Sequence, residues 1–301
     1  MPDPKVSVAT VAYNHENFVR QSLESSLMQE VDFPYEIVVG EDCSTDNTRS
    51  ILKEIAAANP EKVRLELRPQ NLGMQWNYAR TVEACRGEYV AVLDSDDYWS
   101  SPLKLANQLR YMDSNPEHSV SFHLADVHFE VDQMRKQSLP DKAKLVSDIN
   151  DILLTNFMPS CTVMYRRDRL PPFPAWYGEV HTYDWVLHSL VLMSGGTAGF
   201  LDESLAVYRV HGANMFSGLG ERKRLENEIG FYEKIVDVMP DHLKARARYG
   251  MAERLYDLAN NFRRAGDIAS ARLLFERSLN LQSKGNRLPL GRKLRMKARL
   301  R

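Results

Sequence analysis

Three carboxylates, Asp94, Asp96 and Asp97, follow directly on the apolar run Tyr89-Val90-Ala91-Val92-Leu93. The run is short, β-branched and aromatic, the composition of a strand buried on both faces. Acids gathered at the end of such a strand repel one another unless a cation holds them together. Mg²⁺ and Mn²⁺ suit that task, because they prefer oxygen ligands and bind through one or two carboxylates plus substrate phosphates. Residues i and i+2 at a strand end project to one side, so Asp94 and Asp96 are expected to converge on one ion. The plainer alternative is a solvated acidic turn with Ser95 as turn former. Further along, His211 can give an imidazole to a metal or touch a diphosphate, and Arg209 can fix a phosphate or anchor its loop; both can equally be structural. A fourth acid, Asp184, stands between Tyr183 and Trp185 ahead of an apolar run. A hydroxyl is a poor nucleophile, and a carboxylate within reach can take its proton as a new bond forms. A helix N-terminus there favours a negative group; the alternative is that Asp184 only caps the helix.

These side chains need a scaffold. Residues 6–11 read as a buried strand. Asn14 is expected to cap the next helix, in which Val19, Leu23 and Leu27 share a face. Strands follow at 35–40 and 63–67, with a helix over 48–58 between them that Asp46 or Thr45 can cap and Asn59-Pro60 stops. Asn71-Leu72-Gly73 reads as a turn and residues 76–86 as a helix. Strands alternating with helices through residue 97 imply βαβ units and a mostly parallel sheet. Ligands of such sheets bind beyond the carboxyl ends of the strands, where Tyr13, Asp42 and Asp94 to Asp97 fall. Beyond that lie a helix over 102–112, strands at 119–129 and 160–165, a polar loop over 131–145, an apolar helix over 186–193 and a strand at 204–210.

Several stretches in order resemble the family 2 glycosyltransferases: Ala12-Tyr13-Asn14, Glu41-Asp42-Cys43-Ser44-Thr45-Asp46, Asn71-Leu72-Gly73 and Gly87 to Asp97. The likeness is close over about the first hundred residues and looser to about residue 217. There Tyr208-Arg209-Val210-His211-Gly212-Ala213-Asn214 is similar to a Tyr-Arg-x-His-x-x-Asn stretch common in the family. The resemblance implies an α/β fold of the GT-A type, Rossmann-like, with a mostly parallel sheet flanked by helices. It implies an inverting transferase using a nucleotide-sugar donor, with UDP as the expected carrier, and Mn²⁺ or Mg²⁺ as cofactor. On this likeness Tyr13 and Asp42 contact the base, Asp94 and Ser95 belong to the donor stretch, Asp96 is the main metal ligand and Asp184 is the general base. The acceptor would be a glycan or a lipid-linked glycan, in bacterial surface glycan synthesis.

Charge and composition set outer limits. A formal net charge of −1 gives no electrostatic case for nucleic-acid binding. Three scattered cysteines, Cys43, Cys85 and Cys161, lack metal spacing and suit a reducing compartment. With no signal peptide or membrane-length apolar run legible, the expected location is cytoplasmic. The expected division is a transferase domain over 1–220, a helical extension over 221–283 and a basic tail over 284–301. In the extension, Leu255, Leu258, Ala259, Phe262, Gly266, Asp267, Ala271 and Phe275 match one tetratricopeptide-type hairpin. One such hairpin cannot bury its own face, so it is expected to pack on the catalytic domain or a second subunit. The tail carries eight basic residues and no acid. It reads by default as solvated, with peripheral membrane contact as the functional alternative; Leu290, Leu294 and Ala298 recur at i, i+4. Two rivals stay open at this point. A nucleotidyltransferase would normally carry a glycine-rich basic loop after the first strand, and residues 10–18 have neither Gly nor Lys. A non-catalytic scaffold using the hairpin would not need the acids at 42, 94, 96 and 184.

Overall fold

The structure of the chain, a computed structural model, describes residues 3–130, 138–140, 143–212, 219–282 and 287–300. Its contacts gather into two compact units. One comprises Met1–Asp148, Phe157–Gly178 and Leu190–His211; the other comprises Ile149–Asn156, Glu179–Ser189 and Gly212–Arg301. The helical unit therefore takes in two segments from before residue 220, a grouping that a reading of the chain in order does not suggest.

The first unit is built on a ten-stranded sheet. Its first half alternates as expected: β1 (Val6–Ala12), α1 (Val19–Leu27), β2 (Tyr35–Glu41), α2 (Thr48–Ala58), β3 (Val63–Leu67), α3 (Met74–Ala84) and β4 (Tyr89–Val92). Every residue of β1, β2 and β4 is buried, as parallel strands covered on both faces require. The rest of the sheet is β5 (Tyr98–Trp99), β6 (His118–Phe129), β7 (Ser138–Leu139), β8 (Val146–Ser147), β9 (Met164–Arg166) and β10 (Thr197–Val210), with α4 (Lys104–Ser114) between β5 and β6. The main order is β3-β2-β1-β4-β9-β6-β10-β5. β9 runs antiparallel to both β4 and β6, so the sheet is mixed at its centre.

Three local expectations are corrected. Residues 160–165 are not one strand: Ser160–Thr162 is a 3₁₀ turn, and pairing starts at Met164. The Thr162 hydroxyl donates to the Pro159 carbonyl at 2.7 Å, the local bonding by which Ser and Thr compete with a ladder. β10 is twice the expected length, because register shifts around Leu201 to Ser204 let an interrupted pattern continue in the sheet. Asn14 does not cap α1, which starts at Val19 without a side-chain cap. It sits in the left-handed region, φ 53°, where Asn is tolerated, and reaches another loop instead. The expected loop over 131–145 and residues 213–217 lie partly or wholly outside the described residues.

Lys104 occupies an unusual place in this core. It is fully buried, its Nζ lies 4.1 Å from the centre of the Trp99 ring, and no described residue offers it a hydrogen-bond acceptor. Burial pushes its pKa from 10.5 down to about 7. The native state thus sheds a proton that the unfolded chain keeps, so stability held at pH 10.5 is lost as pH falls toward 7. Lys104→Met is expected to raise stability by about 1–3 kcal/mol at pH 7, a few degrees of melting temperature. The gain should shrink toward pH 10 in thermal melts, and a gain that does not depend on pH would contradict this account of Lys104.

The second unit contains α5 (Ile149–Ile152), the start of α6 (Tyr183–Met193), α7 (Glu221–Val238), α8 (Asp241–Arg264), α9 (Ile268–Asn280) and α10 (Leu290–Arg299). Trp185 stacks on Phe231 at 4.3 Å and donates its indole N–H to the Ile152 carbonyl. The α8–α9 hairpin turns at Gly266, φ 87°, and the Asp267 carboxylate caps α9 through the Ser270 N–H. Ala259 and Ala271 are fully buried, so the small residues do let the two helices approach. The basic tail is not simply solvated, however. Leu288, Met296 and Leu300 are buried with Tyr256, Ala259, Ala271 and Phe275. Arg292 pairs with Glu253 and Asp257. Removing residues 287–301 is therefore expected to lower the helical unit's unfolding temperature in calorimetry, because several buried side chains each contribute about 1.5–3 kcal/mol. An unchanged melt would restore the view of the tail as solvated.

Candidate active site

The carboxyl ends of β1, β2 and β4 meet through their loops. The Asn14 N–H donates to Ser44 Oγ at 3.0 Å, and Asn14 Oδ1 accepts the Thr45 N–H at 2.8 Å. The His15 N–H donates to Thr48 Oγ1 at 2.8 Å, and the Glu16 N–H to Asp46 Oδ2 at 3.1 Å. Asp46 also accepts the Thr48 N–H at 2.9 Å, but the cap position of α2 is Asn47, which makes no side-chain cap bond, so neither Asp46 nor Thr45 is the cap. Tyr13 stands at this rim, 39% exposed. Asp42 is buried, and its two oxygens accept the N–H groups of Leu72 and Gly73 at 2.8 and 3.0 Å. Burial outweighs those bonds and raises its pKa. Asp42 thus fixes the Asn71-Leu72-Gly73 turn, while Gly73 meets the turn's need for a positive φ of 82°.

The strand ends at Val92, and the following residues turn, the Asp97 N–H donating to the Asp94 carbonyl at 3.0 Å. The strand argument for one-sided Asp94 and Asp96 does not hold in a turn, and the two carboxylates have different partners. Asp94 Oδ2 accepts from Ser160 Oγ at 2.5 Å, a contact that the 3₁₀ turn at Ser160 provides. Asp96 Oδ2 lies 3.2 Å from His211 Nε2, at the end of β10. Ser95 Oγ is 2.7 Å from His15 Nδ1, and the His15 and His211 rings are 6.1 Å apart, edge to face. The site thus brings together Ser95, Asp96 and His211 with His15, for which the sequence offers no motif. Only its position one residue after Asn14 could have signalled it.

The acids of the turn divide by environment. For Asp96, burial favours the neutral acid, but the hydrogen bond from His211 and the nearby imidazoles of His15 and His211 outweigh it and hold the pKa below the usual range. For Asp97, burial and the charges of Asp96 and Asp94 push the pKa well up. Burial lowers that of His15. Asp97 accepts the Arg209 N–H at 2.8 Å, which joins the acidic turn to β10 two residues before His211. The Arg209 guanidinium bonds Gln21 at 2.6 Å and Glu130 at 3.2 Å, and lies over the rings of Phe18 and Tyr98. These contacts hold the guanidinium against α1 and the ends of β5 and β6. Among the described residues no three His, Cys, Asp or Glu side chains form a ready metal cage. An ionised carboxylate with one imidazole beside it does fit a hard cation that takes its remaining ligands from phosphates and water.

Asp184 belongs to the other unit. It lies in the first turn of α6, and its oxygens accept the Asn156 side-chain N–H and the Trp185 backbone N–H, each at 2.8 Å. Asn156 is a partner that no sequence signal suggested. Of the other histidines, His123 and His188 are buried, His128 is half-buried and His181 is exposed. A cleft of about 690 Å³ lies elsewhere, at the amino ends of β2 and β3. Of its two carboxylates, Glu36 and Glu61, the buried Glu36 is already engaged by Arg86 and Ser7, which gives that residue a structural part.

Residues 7–170 match the model of glycosyl transferase family 2. An uncharacterised protein of Mycobacterium tuberculosis is 32% identical over 251 residues, 81% of this chain and 72% of that protein. The putative teichuronic acid biosynthesis glycosyltransferase TuaG of Bacillus subtilis is 30% identical over 212 residues, 69% of this chain and 79% of the relative. Among solved structures, S. aureus TarS in complex with UDP-GlcNAc superposes with a TM-score of 0.60 at 18% identity, over 92% of both chains. The mannosyltransferase PcManGT of Pyrobaculum calidifontis, in complex with GDP-Man and Mn²⁺, gives 0.60 at 18%, over 99% of this chain and 85% of that one. The chain belongs to glycosyl transferase family 2. It is a glycosyltransferase of the GT-A fold with C-terminal helices, which sets aside the nucleotidyltransferase and scaffold readings. No described helix is long and apolar enough to cross a membrane.

Proposed function

We propose that the chain transfers a sugar from a nucleoside-diphosphate donor, a UDP-sugar, to a hydroxyl of a glycan or lipid-linked acceptor, with inversion, in bacterial surface glycan synthesis. The Asp96–His211 pair at the carboxyl end of the sheet carries this reading. The ligands named for TarS and PcManGT support a nucleotide-sugar donor, and the name of TuaG supports a surface glycan. Asp96, with His211, would hold Mn²⁺ or Mg²⁺, whose charge offsets that building on the leaving diphosphate. Tyr13 is exposed for contact with the base, and Asp42 would shape that contact directly or through the turn it fixes. Asp94 and Ser95 would stand at the donor's ribose side. Asp184 would take the proton of the attacking hydroxyl, so that one displacement inverts the anomeric carbon and no covalent nucleophile is needed.

Calorimetry with UDP and GDP, with Mn²⁺ or with chelator, tests the donor half. The expected result is tight binding of UDP only with metal. Equal affinity in excess chelator would remove the metal from this reading, and preference for GDP would correct the donor.

A further inference from the structure

We propose that the outward face of α10 docks on an anionic lipid bilayer. The helix has two apolar sides. Met296 and Leu300 are turned into the helical core. Leu290 and Leu294 are 70% and 57% exposed, and Ala298 is exposed as well. The three are spaced i, i+4, i+8, so they form one line along the solvent side. The helical repeat sets Lys293 and Lys297 on one flank of that line and Arg295 on the other. Among the described residues none of these three cations pairs with an acid, whereas inward-turned Arg292 bonds Glu253 and Asp257. No acidic residue follows Glu276 in the chain.

Single exposed leucines are ordinary, but a line of them bordered by cations is the pattern of a helix lying in a membrane interface. The two features together select the occupant. A soluble polyanion would satisfy the cations and leave the leucines in water. A second copy laid face to face on the same helix would set cation against cation. An anionic bilayer takes the lysines and Arg295 at its headgroups and the leucines at the acyl boundary. This contact is independent of the transfer reaction, so its failure and the failure of the donor reading are separable.

The test is co-sedimentation of the full chain with vesicles of phosphatidylglycerol and phosphatidylcholine in equal parts, and with phosphatidylcholine alone. Binding is expected to the mixed vesicles only, and to weaken as salt is raised. The L290S/L294S and K293E/K297E pairs should each lower partitioning about tenfold or more, while circular dichroism stays unchanged. No binding to the mixed vesicles, or equal binding to phosphatidylcholine alone, overturns the proposal. Loss in the lysine pair with none in the leucine pair shows contact by charge alone and overturns the seating of the leucines at the acyl boundary. A dimer in size-exclusion chromatography that L290S/L294S dissociates, with vesicle binding unchanged, assigns the face to a second copy instead.

Discussion

Asp184→Asn lowers transfer to the acceptor by about 10²–10⁴-fold while leaving donor binding nearly unchanged, the pattern of a lost general base. The substitution keeps size and one acceptor oxygen. It can therefore still receive either the Asn156 or the Trp185 N–H, both of which Asp184 now holds. What it removes is the basic carboxylate, needed only as the acceptor hydroxyl loses its proton. A purely structural Asp184 predicts something else: about 1 kcal/mol of lost stability and near-normal turnover. The assay must contain the acceptor, since slow hydrolysis of the donor uses water. Asn156→Ala should lower kcat by a smaller factor with little change in donor KM, because it frees the carboxylate to turn without removing it. Full transfer activity in Asp184→Asn would take this residue out of the mechanism.

Asp96→Asn is expected to weaken metal-dependent binding of the nucleoside diphosphate by about 100-fold or more, beyond the 10–100-fold typical when only a supporting partner of a metal ligand is lost. Titration of the variant with Mn²⁺ and UDP measures this directly. The reason lies in the division of charge within the turn. Asp96 is held ionised beside His15 and His211, whereas Asp97 is driven toward the neutral acid by burial and by its neighbours. Asp97→Asn, which keeps an oxygen for the Arg209 N–H, should cost far less metal affinity. Equal losses in the two variants would show that the cluster acts through its summed charge and not through Asp96.

By itself the sequence determined a good deal of this protein. The βαβ order through β4, the strands buried on both faces, the hairpin turn at Gly266 and Asp267 and the acidic turn after β4 were legible. Each rests on residues close in the chain: apolar period, a glycine where φ is positive, acids directly after a strand. The family was legible for the same reason, since its motifs are short and ordered.

Only the tertiary structure decided who meets whom. Asn14 looked like a cap for its own helix and instead bonds Thr45, 31 residues on. His15 had no motif, yet its ring stands against Ser95 and near His211. Arg209 reads in the chain as a phosphate ligand or an anchor, and the fold sets its guanidinium against Gln21, Glu130 and two aromatic rings from distant parts of the chain. Arg287 to Leu300 read as a polar tail because three buried apolar residues among many cations leave a weak signal; Leu288, Met296 and Leu300 join a core because α8 and α9 offer them a surface. Periodicity and local propensity are properties of neighbours in sequence. Hydrogen bonds across loops, the splitting of two buried carboxyl groups by the histidines and acids beside them, and the choice of which helix face is covered depend on distances that only the packed chain sets.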